Sequence, residues 1–150
     1  MPDQTELIKA AYLRELAVRY AWAWIRTPYK WGGDDFSSMD CSGFIIEVLQ
    51  GVGILPHGRD YSAHDLYMLF KPNVVALGYA GCLAFWLDDK GHAVHVMLLI
   101  DNTHVIGASG GGSKTDDLAD AIRDNAFIKM RPLTYRKGTS VIIDPYKGIS

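Results

Sequence analysis

Cysteine is scarce in this chain: two in 150 residues, Cys41 and Cys82. Two cysteines make no disulfide framework. Neither a Cys-x-x-Cys pair nor a His-Glu-x-x-His run is present, so the usual zinc patterns are missing. Charge of one sign is also scarce. The formal net charge is −2, which gives no electrostatic footprint for nucleic acid. No lysine- or arginine-rich run suggests an anionic membrane surface. No apolar run reaches the roughly 20 residues of a membrane span. The start, Met1 to Thr5, is polar and acidic and lacks the basic and apolar regions of a secretory signal. The expectation is a protein made in the cytoplasm, which would need a delivery system to meet any substrate outside. Internal repeats, linkers and low-complexity segments are absent too.

What is present is an ordinary globular balance, 49% apolar and 21% charged, on a length suited to one domain over residues 1–150. Residues Thr5 to Ile25 read as a helix. Leu7, Ala10, Ala11, Ala17, Val18, Ala21 and Ile25 fall at helical spacing, Thr5 is the expected cap, and Pro28 ends the segment. Trp22 and Trp24 read as packing residues. Tyr29 to Asp40 reads as a loop. A second helix is predicted over Ser42 to Val52, ended by Gly51 and Gly53, and a third over Ser62 to Phe70 with Ser62 and Asp65 as a capping box.

After Gly78 the pattern turns to strands: Cys82 to Leu87, Ala93 to Ile100 and His104 to Ala108, with a turn at Asp101, Asn102 and Thr103. Gly110, Gly111 and Gly112 suggest a mobile loop, and Thr115 to Asn125 a short helix. Phe127 to Leu133 and Ser140 to Ile143 would complete the sheet, the former as an edge strand that tolerates Pro132. Helices first and an antiparallel sheet second make an α+β domain.

Two residues carry chemistry. Asp40-Cys41-Ser42-Gly43 stands between a Gly-rich loop and an apolar helix. A thiol at a helix N-terminus meets unpaired N–H groups and the positive dipole end, which favour thiolate. The same N–H groups suit an oxyanion. The chain has five histidines. His57 and His64 lie in or near loops, His92 in a turn, and His104 beside one. His95 alone interrupts an apolar strand, where its ring needs a hydrogen-bond partner. Taken alone, such a histidine is more often a satisfied core residue. A preceding thiol at a helix start makes it the candidate base. His92 and His95, three apart on a strand, point to opposite faces, so they do not form a metal pair. No metal and no cofactor is expected.

The stretch Tyr29-Lys-Trp-Gly-Gly, followed by Asp40-Cys41-Ser42-Gly43-Phe44, with Gly81-Cys-Leu-Ala-Phe-Trp86, His95-Val96 and Ala108-Ser109-Gly110, resembles the NlpC/P60 family of cell-wall cysteine peptidases. The resemblance runs from Pro28 to about Gly112. It implies a reduced papain-like fold, with the nucleophile helix packed on an antiparallel sheet. It also implies a peptidoglycan endopeptidase cutting a stem-peptide amide, often between D-glutamate and a diamino acid. Cys41 would be the nucleophile and His95 the general base and acid. Tyr29 would support the oxyanion site, and Asp40 and Ser42 would be candidate substrate contacts.

The family usually carries a polar residue that orients the imidazole where this chain has Gly107. Ser109, a water or a main-chain carbonyl would have to serve instead. The family often has an acidic residue where this chain has Cys82, which reads as a packed strand residue. Short members of this kind resemble phage-borne or secretion-delivered forms. Two other readings stay open. One is an N-acetylmuramoyl-L-alanine amidase or another thiol amidase or acyltransferase. The other is a weak or inactive wall-binding or phage tail component, for which Gly107 would be the mark.

Overall fold

A computed structural model describes residues 2–30, 32, 34–35, 38–111 and 114–148. Trp31 and Gly33 of the loop motif, its Phe36 and Ser37, and Gly112 of the glycine run lie outside the described residues.

Three helices precede the sheet. Helix α1 spans Gln4–Trp22. Its cap is Asp3 rather than Thr5: Asp3 accepts from the Glu6 N–H at 2.8 Å, and the Glu6 carboxylate accepts from the Asp3 N–H at 3.0 Å. A carboxylate flanked by a reciprocal partner three residues on satisfies two free donors, which one Thr hydroxyl cannot do. The buried face of α1 is narrower than the spacing predicts. Ala10, Ala17 and Ala21 are buried, while Leu7 and Ala11 are exposed. Trp24 is in the core and Trp22 is exposed, so the aromatic pair is divided.

The predicted loop before Cys41 contains a short antiparallel strand pair, β1 (Asp34–Asp35) with β2 (Ser38–Met39). Two-residue strands leave no periodicity to read. Helix α2 spans Cys41–Gly51, and its continuous apolar run places Phe44, Ile45, Val48 and Leu49 in the core. Helix α3 spans Ala63–Phe70, and its start matches the predicted box. Asp65 N–H donates to Ser62 Oγ at 3.0 Å and Ser62 N–H to the Asp65 carboxylate at 2.9 Å.

Five strands form one antiparallel sheet: β3 (Leu83–Leu87), β4 (Ala93–Leu99), β5 (His104–Ser109), β6 (Phe127–Pro132) and β7 (Ser140–Ile143), in the spatial order β6-β5-β4-β3-β7. The β4–β5 turn is set by the Asp101 carboxylate, which accepts from the N–H groups of Thr103 and His104, each at 2.8 Å. Cys82 lies just ahead of β3. A fourth helix, α4 (Leu118–Asp124), is shorter than predicted because Asp117 caps it and Asn125 ends it in the left-handed conformation.

The strand alternation gives the sheet two apolar faces. On one, Phe85, Val96, Leu98 and Ile106 pack with α2 and with Leu66 of α3. Burying side chains of this size contributes roughly 1.5–3 kcal/mol each. On the other, Cys82, Ala84, Trp86, Met97, Leu99 and Val105 form a smaller cluster, covered in part by Leu133 and Tyr135 from a 3-10 turn after β6. Arg14 of α1 grips the fully buried Asp144 carboxylate at 2.6 Å, and Tyr79 also donates to it. This ties the first helix to the last strand's exit.

Candidate active site

The β4–β5 ladder is short. Its pairs are Leu98↔Ile106 and Leu99↔Val105. Beyond Leu98 the two strands part, while β5 stays with β6 as far as Ser109↔Phe127. The first turn of α2 points into this fork. The Val96 N–H, free of β5, is directed at the Cys41 sulfur, as is the Ser42 N–H. The helix start is held there by Asp40. Its carboxylate accepts from the Gly43 N–H at 2.6 Å and from the Gly32 N–H at 2.9 Å, with Ser42 Oγ at 3.4 Å. Asp40 therefore binds the preceding loop to the cap of the nucleophile helix.

The fork opens into a cleft of about 880 Å³. Cys41, Tyr29, His95 and Ser109 line it together, as do Asp40 and Ser42. The structure thus gathers every residue singled out in the sequence except Gly107. The end of β6 adds Arg131 and the segment after it adds Tyr135, Arg136 and Lys137, while Asp60 precedes α3. One part of the cleft is therefore cationic and another acidic.

Tyr29 is buried, with its N–H donating to the Ala126 carbonyl at 2.9 Å, so residues 26–29 run beside β6. Burial, Cys41 and Asp40 all raise its phenol above the ordinary range, so its hydroxyl keeps its proton and stays a donor.

Cys41 does not behave as a helix N-terminus alone would suggest. Burial and the Asp40 carboxylate push its thiol up to about 11, outweighing the N–H groups of Val96 and Ser42 and the nearby Arg136. The expectation of a favoured thiolate fails in this resting geometry because desolvation of a charge exceeds the dipole's help. His95 is 7% exposed, and burial followed by Arg136 lowers its imidazole to about 3. Burial thus favours the neutral form of both groups.

His95 Nε2 lies 2.6 Å from the Tyr135 hydroxyl. Its ring centroid is 5.4 Å from that of Trp86. Gly107 faces Met97, which occupies the space a side chain would need. Cys82 is fully buried on the second face, away from the fork, as a packed residue would be. Sequence reasoning missed Tyr135, Arg131 and Arg136. Arg131 lies on an edge strand and the other two follow it, with no motif of their own, and the one hint was that a glycine left the imidazole without a partner. Among the described residues no three His, Cys, Asp or Glu side chains gather as metal ligands.

Residues 26–131 match the model of the NlpC/P60 family. The probable peptidoglycan endopeptidase LytE of Bacillus subtilis is 32% identical over 114 residues, which is 74% of this chain and 30% of that protein. The chain thus spans less than a third of that relative's length. Among solved structures, the peptidoglycan hydrolase RipB of Mycobacterium tuberculosis superposes with a TM-score of 0.68 at 23% identity, covering 95% of this chain and 67% of that one. The P60 domain of an antigen from M. avium subspecies paratuberculosis gives 0.67 at 19% identity, covering 92% and 98%. These likenesses place the fold among NlpC/P60 domains, with a mixed helical and antiparallel architecture.

Proposed function

Because the chain belongs to the NlpC/P60 family, we propose that it hydrolyses an amide in the peptide part of peptidoglycan, with Cys41 as nucleophile and His95 as base. The observation that carries this reading is the meeting of the α2 first turn and β4 in one cleft, Cys41 and His95 both on its lining.

Chemically, His95 takes the thiol proton as Cys41 Sγ attacks the carbonyl carbon. The carbonyl oxygen becomes an oxyanion, for which the N–H groups at the α2 start and the Tyr29 hydroxyl are the donors at hand. Collapse breaks the C–N bond, and His95 returns the proton to the leaving amine. Water, deprotonated by His95, then opens the thioester to a carboxylic acid and the free thiol. A neutral resting pair suits this order, because the proton moves only when a carbonyl arrives.

Arg131, Arg136 and Lys137 support a substrate that carries free carboxylates, as stem peptides do. The D-glutamyl–diamino acid bond is the scissile bond we favour. Cleavage at the amide joining sugar to peptide is the second reading, and it uses the same residues. Action on the wall would follow delivery across the membrane.

Purified sacculi incubated with the protein should release soluble peptide. Cys41→Ala and His95→Ala should each lower the rate by at least about a thousandfold, as loss of a member of a nucleophile–base pair does. Release unchanged by Cys41→Ala would overturn the proposal.

A further inference from the structure

Gly107 sits on β5 opposite Lys129, on the face of the sheet that carries Met97. A Cβ built there would lie 2.5 Å from Met97 Sδ, so the place that would hold an orienting side chain is taken by a core residue. The imidazole nevertheless has a partner from another part of the chain. Tyr135 belongs to the 3-10 turn Leu133–Tyr135, which follows β6 and folds back over the second face of the sheet. Its hydroxyl is 2.6 Å from His95 Nε2.

The Tyr135 ring is fixed on several sides. Trp86 meets it edge-on, with centroids 5.9 Å apart, and the Arg131 guanidinium lies 4.6 Å from its centroid. Ser109, two residues after Gly107 and buried, lies near enough to Tyr135 to lower its phenol in part. Trp86 also packs on His95, so one indole braces both members of the pair.

We propose that Tyr135 is the positioning residue for His95: its hydroxyl holds Nε2 and leaves Nδ1 for Cys41, supplying from the turn after β6 what Gly107 cannot supply from β5. The inference rests on His95 being the base of the proposed reaction. The proton count is simple. When Nδ1 takes the thiol proton the ring becomes imidazolium, and its Nε2–H donates to the Tyr135 oxygen. When the ring gives that proton to the leaving amine, the neutral pair returns. Tyr135 itself gains and loses nothing. Burial raises its phenol above the ordinary value, so it acts as a neutral hydroxyl throughout.

The test is Tyr135→Phe, which keeps the ring against Trp86 and Arg131 and deletes only the hydroxyl. We expect kcat on soluble muropeptides to fall about 10- to 100-fold with KM within about twofold, the pattern of a group acting in the transition state. The melting temperature should stay close to that of the parent. Two readouts need no substrate. The nitrogen NMR signals of the His95 ring, observed with labelled histidine, should shift at Nε2 and report a changed tautomer mixture. The pH profile of Cys41 alkylation should move as well. Unchanged His95 signals together with an unchanged alkylation profile would overturn the proposal. A parent protein that cuts no muropeptide would count against the hydrolase reading alone, since the histidine and thiol readouts stand apart from it.

Discussion

At Cys41, opposing influences act on one sulfur. The N–H groups of Val96 and Ser42 favour charge on it, while burial and the Asp40 carboxylate oppose that charge. Asp40 is needed as a cap, so its electrostatic cost is built into the way the helix starts. Asn caps a helix as well as Asp does but carries no charge. Asp40→Asn should therefore shift the alkylation profile of Cys41 to lower pH, because removing a neighbouring negative charge favours thiolate. Rates of iodoacetamide labelling against pH read this directly, and a shift to higher pH would contradict it. At this scale the sequence was informative about identity and poor about environment. Cys41 and His95 stand out by their local patterns. A helix start and its dipole are visible in the sequence, whereas the desolvation that packing imposes is not. Asp40, which adjoins the nucleophile and lines the cleft, also has its oxygens engaged with Gly43, Gly32 and Ser42.

Among the elements, the fork between β4 and β5 is the feature that makes a cleft. It needs β5 to leave β4 after Ile106 while keeping β6 to its end. Gly110 closes that run. It has φ +95°, and a Cβ there would come within 2.7 Å of the Asn125 carbonyl oxygen. Both the left-handed backbone and the close approach demand glycine. Gly110→Ala should cost about 1–3 kcal/mol of stability, read as a lower melting temperature, and should distort the neighbouring Ser109. An unchanged melting curve would show that the turn can relax.

Strand existence was legible because Val, Ile and Leu cluster between turn residues, and the Asp101 turn and the Ser62–Asp65 box were legible from spacing. Register was not. A ladder that stops after two residue pairs has no sequence mark, and neither does the return of Tyr135 over the sheet. The latter is a long-range contact, forty residues from His95. The β1–β2 pairing and the Asp3 cap escaped for a different reason, since the first spans two residue pairs and the second rests on two local hydrogen bonds.

Across the whole molecule, the site's burial links its chemistry to folding. His95 has its imidazole lowered to about 3 in the folded protein, against an ordinary value of 6.5. Below about pH 6.5 the unfolded chain takes up a proton that the folded chain refuses until about pH 3, so the unfolded state binds more protons across that window. The histidine's contribution to stability is thus complete above about pH 6.5 and is lost progressively as pH falls toward 3. A His95→Gln variant lacks this titration. Its melting temperature should drop less than the parent's between about pH 7 and pH 4. Equal slopes for the two proteins would mean that His95 is protonated readily in the folded state.

The α+β architecture was legible from the order of helical and strand patterns, and the motif order of Cys41 before His95 carried the family. The lock between α1 and the chain's end was not, because Arg14 and Asp144 are 130 residues apart and neither has a local signature.

Hydrolysis of a stem-peptide amide through Cys41 is the proposed activity. The most direct test is mass spectrometry of defined muropeptides after incubation in water enriched in heavy oxygen, beside a Cys41→Ala control. Two new fragments are expected, with the heavy oxygen in the newly formed carboxyl group of one and a free amine on the other, and neither in the control. Intact muropeptides, or the same fragments from the Cys41→Ala protein, would contradict it.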